Sequence, residues 1–457
     1  MASVLLIYPY FKPSRDRSVF RFPPLGVSYL AAALLEAGHE VHLLDCTFLN
    51  RSDALKQALG VKAEVVGIYC MVTMLDDCRW FARHLRRQGT FLVAGGPLPT
   101  CDPAPFLDDF DVVVRGEGEQ TLRELVGAYA EEADWGSVPG IVYRAKPGSP
   151  AKDAAGITFT PERPFEADLD RLPFPARGLL PNANYIRHGR KTYGYAITTV
   201  MSTRGCPFRC EFCSNVVFGG SYRERSPQNV IDEVEQALAL GYDRISFADD
   251  VFTLNSKRVT AICEEIRRRG LQFSWECLGR ADSLDAATTL KMKQAGCSRI
   301  FFGIESGNDE ILALMHKQIT TAQARRAVEA AHQAGLQVGA FFILCYPGET
   351  DETVLNTLRF AASLPLDYLG LTMPYPLPGT ALYERIKGQI SRDWQPGESV
   401  FGSHVLIYDA GFSEAKMWLA ILKGHVQFML RKRLGALAPL GLSLFEKPTD
   451  ALFRWLR

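Results

Sequence analysis

The feature that most constrains this chain is a repeated switch between two hydrophobic periods. Up to about residue 130, short continuous apolar runs alternate with stretches of helical spacing. "SVLLIYPY", "VHLLDC", "EVVGIYCMV", "TFLVAGGP" and "DVVVRG" are too short for core helices and too uniformly apolar for a sheet wetted on one face. They suit parallel strands buried on both sides. "LGVSYLAAALLEAGHE", "SDALKQALG", "LDDCRWFARHLRRQG" and "EQTLRELVGAYA" lie between or after them and read as helices. Gly38 is placed to close the first of these. Five strands alternating with helices imply an α/β domain, a doubly wound (Rossmann- or flavodoxin-like) parallel sheet over residues 1–144.

From 145 to 194 the pattern lapses. "KPGSPAKDAAG" and "RLPFPARGLLPN" are rich in Pro, Gly and Ala, the composition of a linker crossing the surface. The alternation resumes at 195 in longer units. "YAITTVMST", "RISFADD", "FSWECLG", "RIFFGIES", "QVGAFFILCYPG" and "YLGLTMPYP" are the expected strands. Ser226 and Pro227 open the first intervening helix as N-cap and first-turn residue. Six βα units over 195–385 make a partial (β/α)6 barrel of the TIM type, short of the eight units of a closed one. Residues 386–457 read as mainly helical, and "SEAKMWLAILKGHVQFMLRKRLGAL" ends in the basic run Arg431, Lys432, Arg433.

Composition narrows the function classes. The chain has 457 residues, and Lys plus Arg equal Asp plus Glu at 51 each. A net charge of zero supplies no bulk attraction to nucleic acid, and no nucleic-acid partner is expected. No run reaches the ~18 apolar residues of a spanning helix. The N-terminus lacks a basic region and cleavage site of the secretory type. Eight of the 11 cysteines (46, 70, 78, 101, 263, 277, 297 and 345) are scattered, mostly in apolar runs. They read as buried free thiols in a reducing compartment, and the expected location is the cytoplasm.

The other three, Cys206, Cys210 and Cys213, stand in "TRGCPFRCEFCSN" with C-x3-C-x2-C spacing, directly after the first strand of the second domain. Loops at the carboxyl ends of barrel strands are where such folds place chemistry. Gly205 and Pro207 favour a tight loop. Thiolates are the usual ligands of iron–sulfur clusters. Three of them on a four-iron cluster leave one iron open to a small molecule. The competing reading is a structural zinc completed by a distant ligand such as His188 or Cys263.

"GCPFRCEFC" resembles the signature loop of the radical S-adenosylmethionine (SAM) superfamily. The resemblance implies a [4Fe-4S] cluster on Cys206, Cys210 and Cys213, whose open iron chelates SAM. Reduction of the cluster then cleaves SAM to methionine and a 5′-deoxyadenosyl radical. Phe212 matches the aromatic beside the adenine. Asp249 and Asp250 in "FADDVFTLN" match positions near the methionine moiety. Arg280 in "LGRAD" matches a partner for its carboxylate, and Glu305 in "FFGIESGND" a contact to its ribose or methionine part. "FFILCYPGET" matches the strand and turn over the adenine.

The first domain resembles the cobalamin-binding domain found ahead of many such barrels, through "PPLG…LEAGHEV…LD", "GGP" and "GEGE". The resemblance implies that Gly95, Gly96, Pro97, Gly116 and Glu117 meet the cofactor. "YCMVTML", with the hydroxyl of Thr73, would face the lower side of the corrin. The chain has no D-x-H-x-x-G segment, and His39 and His42 lie elsewhere, so no histidine of that motif ligates cobalt. The combination implies methylation of an unactivated carbon of a small molecule, cofactor, lipid or natural product, with electrons from a flavodoxin or ferredoxin. Alternatives are a ring closure or oxidation using the same cofactors, a transfer-RNA methylthiotransferase with a second cluster among Cys46, Cys70, Cys78 and Cys101, and a non-catalytic cobalamin sensor. The C-terminal segment reads as a helix packing over the open side of the barrel; the alternative is contact with a membrane surface or a hydrophobic substrate.

Overall fold

Each of the expected apolar runs becomes a strand; Ser3–Tyr8, Val65–Tyr69 and Val112–Val114 are buried almost throughout, whereas the second domain's strands alternate buried residues with partly exposed ones such as Leu278, Phe341 and Tyr368. A computed structural model describes residues 1–11, 21–86, 89–145, 156–390, 407–409, 411–435 and 438–456. In the first domain β1 (Ser3–Tyr8), β2 (Glu40–Asp45), β3 (Val65–Tyr69), β4 (Phe91–Gly95) and β5 (Val112–Val114) pair in parallel in the order β2-β1-β3-β4-β5. The order reverses at β1, which pairs with β2 on one side and β3 on the other. Helices Leu25–Glu36 and Gly118–Ala130 pack against one another on one face. Phe81 of helix Leu75–Arg86 fills the core on the other.

The sheet has seven strands, where the sequence leads one to expect five. β6 (Ile141–Arg144) and β7 (Ile157–Phe159) extend the β5 edge as antiparallel strands. β7 is three residues long and falls inside the stretch read as a linker. It is a strand because β6 offers it a free edge, a cause that local composition does not carry. The same stretch holds the helix Asn182–Tyr193. Its most Pro- and Gly-rich part, 146–155, lies outside the described residues.

In the second domain β8 (Ile197–Val200), β11 (Arg244–Phe247), β12 (Ser274–Gly279), β13 (Cys297–Glu305), β14 (Gln337–Ile343) and β15 (Tyr368–Thr372) form an all-parallel sheet in chain order. These are the six expected units. Ser226 caps the helix Pro227–Ala239 by accepting from the Asn229 amide at 3.2 Å. A small antiparallel ladder, β9 (Thr203–Arg204) with β10 (Arg223–Glu224), stands between β8 and that helix. Two helices, Glu414–Leu434 and Ala438–Trp455, follow as a hairpin. The first lies on the edge strand β15 and on helix Asp351–Ser363, so closely that a Cβ on Gly424 would stand 2.5 Å from Leu371.

Buried charge joins the domains. Glu233, with no exposed surface, accepts from Arg177 of the connecting stretch, from Arg225 of the second domain and, at 3.3 Å, from the Tyr29 hydroxyl of the first. Arg204 reaches Glu119 at 2.6 Å and Glu117 at 3.3 Å, and Arg223 reaches Glu117 at 2.8 Å. Removing one member of such a set strands the others in a low dielectric. Glu233→Gln is expected to lower the free energy of unfolding by about 3–5 kcal/mol, measured by urea titration.

Candidate active site

The three cysteines lie in the excursion between β9 and β10. Gly205 starts it with φ +80°, where a Cβ would sit 2.2 Å from the Ser221 carbonyl oxygen, so only glycine lets the two arms cross. The Cys206 amide donates to Gly219 O at 3.3 Å and the Cys213 amide to Cys210 O at 3.1 Å. Cys206 and Cys210 are half-buried, and Cys213 keeps a solvent-facing edge. Desolvation by the surrounding protein still pushes the Cys213 thiol up to about 12, with Cys210 and Asp250 adding to it, and burial raises Cys206 likewise. Binding iron therefore releases protons from this loop.

Among the described residues no three His, Cys, Asp or Glu side chains are gathered closely enough to hold a single metal ion. A tetrahedral zinc needs its ligands around one point. An iron–sulfur cluster takes one thiolate per iron, so separate thiols on one loop fit it.

Glu211, between the second and third cysteines, is the residue sequence reasoning missed. It is buried, accepts from Arg385 through both oxygens at 2.6 and 2.9 Å, and accepts from the Tyr346 hydroxyl. Its backbone amide donates to Met315 O at 3.0 Å, and its carbonyl accepts from Leu382 N at 2.9 Å. The cysteine loop is thus tied to the far side of the barrel. A lone Glu inside a cysteine motif carries no sequence signal, since its partners lie 135 and 174 positions away.

The expected SAM-side residues converge on the same rim with differing tasks. Phe212 packs edge-on to Tyr346 at 6.4 Å. Arg280 stacks on Phe208 of the cysteine loop at 3.6 Å, pairs with Asp282 at 2.7 Å, and donates to the Lys317 and Gln318 carbonyls. Asp249 departs from its expected contact with methionine. It is fully buried, and its oxygens accept from the Ser202 amide at 2.6 Å, the Ser202 hydroxyl and the Thr203 amide at 3.0 Å. It therefore fixes the turn from β8 into β9. Burial, then the charge of Asp249, raises the neighbouring carboxyl of Asp250. Glu305 ends β13 with φ +74° and binds the Lys317 ammonium at 2.8 Å. Burial works against that ammonium, yet Glu305 and then Cys210 hold it above its usual range. Lys317 is a second cation at this rim, unmarked by any motif.

The turn after β14 carries Glu349, whose Oε2 accepts from the Tyr346 amide at 2.9 Å while Oε1 is buried without a partner. Burial raises its carboxyl to about 8.

At the carboxyl ends of β1, β3, β4 and β5 a cleft opens, apolar over most of its wall. Leu6, Gly67, Val93 and Val114 form its floor, and Met201, Arg204, Val217 and Phe218 close it from the second domain. Gly95, Gly96, Gly116 and Glu117 line it as expected. Gly96 has φ +107°, and a Cβ there would stand 2.7 Å from Cys70 O. The cleft suits a large cofactor with an apolar face by its wall chemistry and its placement at the strand ends. Glu117 contributes its carboxylate to Arg204 and Arg223 rather than leaving it free for a ligand. Thr73 lies on an exposed 3-10 turn and Pro97 begins a short helix, and neither is among the residues lining the cleft. His39 accepts from the Ala2 amide and His42 pairs with Glu40, both at the start of β2 and away from the cleft. Cys46, Cys70 and Cys78 are packed in the first domain's core, which leaves no room for a second cluster on them.

A partial barrel with a cluster loop, joined to a nucleotide-fold domain with an apolar cleft at its strand ends, defines the class: a radical SAM enzyme with a B12 domain. A model of the radical SAM superfamily matches residues 200–361, and one of the B12 binding domain matches residues 15–126. An uncharacterized methyltransferase of Pyrococcus horikoshii is 35% identical over 391 residues, covering 83% of this chain and 82% of that one. The chain belongs to this family of cobalamin-binding radical SAM proteins, whose cofactors are a [4Fe-4S] cluster, SAM and cobalamin. The anaerobic magnesium-protoporphyrin IX monomethyl ester cyclase of Cereibacter sphaeroides is 28% identical over 407 residues, covering 85% of this chain and 64% of the relative. The solved structure of TsrM from Kitasatospora setae, with cobalamin and a [4Fe-4S] cluster, shares the fold at a TM-score of 0.70 and 20% identity, covering 85% of this chain and 75% of that one.

Two outcomes test this site. Glu211→Gln weakens a charge-assisted bidentate bond of about 1.5–3 kcal/mol, so reconstituted iron is expected to leave to a chelator roughly tenfold faster than from wild type. An unfolded glutamate titrates near pH ~4.3. The raised Glu349 carboxyl therefore takes up a proton on folding, and its contribution makes stability fall as pH rises from about 4.3 towards about 8. Glu349→Gln is expected to flatten that fall by a few kcal/mol, seen as a smaller loss of urea midpoint between mildly acidic and mildly alkaline buffer.

Proposed function

We propose that this protein transfers a methyl group to an unactivated carbon of a small-molecule substrate. The observation that carries the reading is a shared wall. Val217 and Phe218 belong to the excursion that holds Cys206, Cys210 and Cys213, and they also close the cleft of the first domain. This shared wall supports a reading in which a cluster on the cysteine loop and a corrin in the cleft would be neighbours. When bound, the cluster and SAM supply radical chemistry and the corrin supplies a methyl carrier.

The chain's own residues position and shield. Cys206, Cys210 and Cys213 would hold the cluster. Asp249 holds the turn that delivers this loop, Glu211 anchors its middle and Arg280 stacks on Phe208. Lys317 and Glu305 offer opposite charges to the two ends of an amino acid, the part of SAM that binds the open iron. Phe212 lies against Tyr346, where the adenine of SAM would stack. Gly95, Gly96 and Gly116 let a corrin approach the backbone, and Met201 and Phe218 keep water from the shared space. Electrons would come from an external low-potential donor such as a flavodoxin or ferredoxin.

The similarity to the anaerobic cyclase favours a second reading, in which the same cofactors oxidise or cyclise the substrate without methyl transfer. Anaerobic reconstitution with iron, sulfide and cobalamin, followed by incubation with candidate substrates and SAM bearing a deuterated methyl group, separates the two. The proposal expects about four irons and one corrinoid per chain and a product that carries the labelled methyl. Cys206→Ala is expected to lose the iron and the product while keeping the corrinoid. An unlabelled, oxidised product would establish the second reading, and absence of corrinoid would end both.

A further inference from the structure

The first helix of the C-terminal hairpin carries apolar residues on both of its faces. Its inward face buries Met417, Ala420 and Ile421 together with Lys416, Lys423 and Gln427, while Trp418, Leu422 and Met429 are among its exposed residues. The buried polar groups all have partners. Lys416 pairs with Asp351 at 2.7 Å, Lys423 with Asp450 at 2.8 Å, and Gln427 donates to Glu446 at 2.8 Å. A surface helix ordinarily turns its apolar stripe to the core.

The second helix repeats the arrangement, exposing Leu444, Leu452 and Trp455. The Lys423–Asp450 and Gln427–Glu446 bonds set the antiparallel register. In that register Trp418 falls opposite Trp455, Leu422 beside Leu452 and Met429 opposite Leu444. The outward apolar residues thus form one band across both helices. Leu422, Leu444 and Trp455 are 62%, 81% and 76% exposed.

Charge decides what this band meets. Lys432 and Arg433 stand exposed at one end and Lys447 on the second helix, with the Lys432 ammonium also donating to Asp367 O at 3.3 Å and lying over Phe428. Arg454, also exposed, is paired with Glu352 of the neighbouring helix. Among the described residues of the hairpin the one carboxylate of the exposed class is Glu414, at the opposite end from Lys432 and Arg433. A small-molecule site would be concave, and this face is a ridge of two helices. An apolar band with tryptophans at one end and exposed cations at the other and along its second helix has the chemistry of a lipid interface, where indoles sit at headgroup depth and cations meet anionic headgroups.

We propose that the C-terminal hairpin docks the protein peripherally on an anionic membrane surface through Trp418, Leu422, Met429, Leu444, Leu452 and Trp455. No described helix is long and apolar enough to span a bilayer, so the contact is made from one side.

Co-sedimentation of the reconstituted full-length protein with vesicles tests this. Vesicles of phosphatidylcholine mixed with phosphatidylglycerol are expected to bind it, phosphatidylcholine alone to bind it far less, and added salt to weaken the binding. Trp418→Ser with Trp455→Ser, and Lys432→Glu with Arg433→Glu, are each expected to lower the partition coefficient about tenfold or more. Iron content, corrinoid content and melting temperature should stay at wild-type values, which separates failed docking from failed folding or an unloaded active site. Equal binding of variants and wild type overturns the proposal, as does no binding to anionic vesicles. Self-association without lipid binding, abolished by the tryptophan pair, assigns the face to a second copy and also overturns it.

Discussion

The architecture depends on carboxylates and guanidinium groups buried between the two domains. Glu233 has no contact with water, and its partners Arg177, Arg225 and Tyr29 come from three different parts of the chain. None of these groups could be left in that environment singly, because an unpaired buried charge costs several kcal/mol. The satisfied arrangement therefore favours one placement of the first domain against the second. Arg204 and Arg223 extend the same constraint to Glu117 and Glu119, and cation–π contacts from Arg204 to Tyr29 and Phe218 complete the joint.

This joint explains why the cysteine loop adjoins the cleft. Arg204 and Arg223 are the two feet of the excursion that carries the cysteines. Pinning those feet to the first domain brings Val217 and Phe218 over the cleft at the ends of β1, β3, β4 and β5. From the other side Arg385 and Tyr346 grip Glu211 in the middle of the same loop. Charge-assisted bonds at both ends hold a loop whose own backbone pairing is sparse. A site meant to place reactive groups within a fraction of an ångström needs such support, since a loop alone keeps too many conformations.

Much of this was legible from local pattern. The parallel strands of the first domain are recoverable because burial on both faces leaves continuous apolar runs, and those of the second because even their partly exposed face keeps apolar residues such as Leu278, Phe301 and Phe341. The cysteine loop was recoverable because three thiols at fixed spacing have few other uses. The cleft glycines were recoverable because a positive φ or a close approach excludes side chains, as at Gly96. Failures occurred where a residue's task is set by a distant partner. Asp249 was read as a ligand contact and proves to hold the Ser202 turn. Glu117 lines the cleft as expected, yet its carboxylate is taken up by two arginines more than 80 positions onward. Thr73 was placed on the cleft floor, whereas the chain turns it outward after β3.

By itself the sequence determined that the chain forms two α/β units and that a cluster loop follows the first strand of the second, because periodicity and thiol spacing act over a few residues. The tertiary structure alone decided that β6 and β7 widen the first sheet, and that Glu211 and Lys317 belong to the site. It alone decided that the GEGE segment joins domains and that the last hairpin buries Lys416 and Lys423 while exposing Trp418 and Trp455. These outcomes turn on pairing between groups remote in the chain. The energy of an ion pair or a sheet edge depends on distance in space and on exclusion of water, neither of which is written in local order.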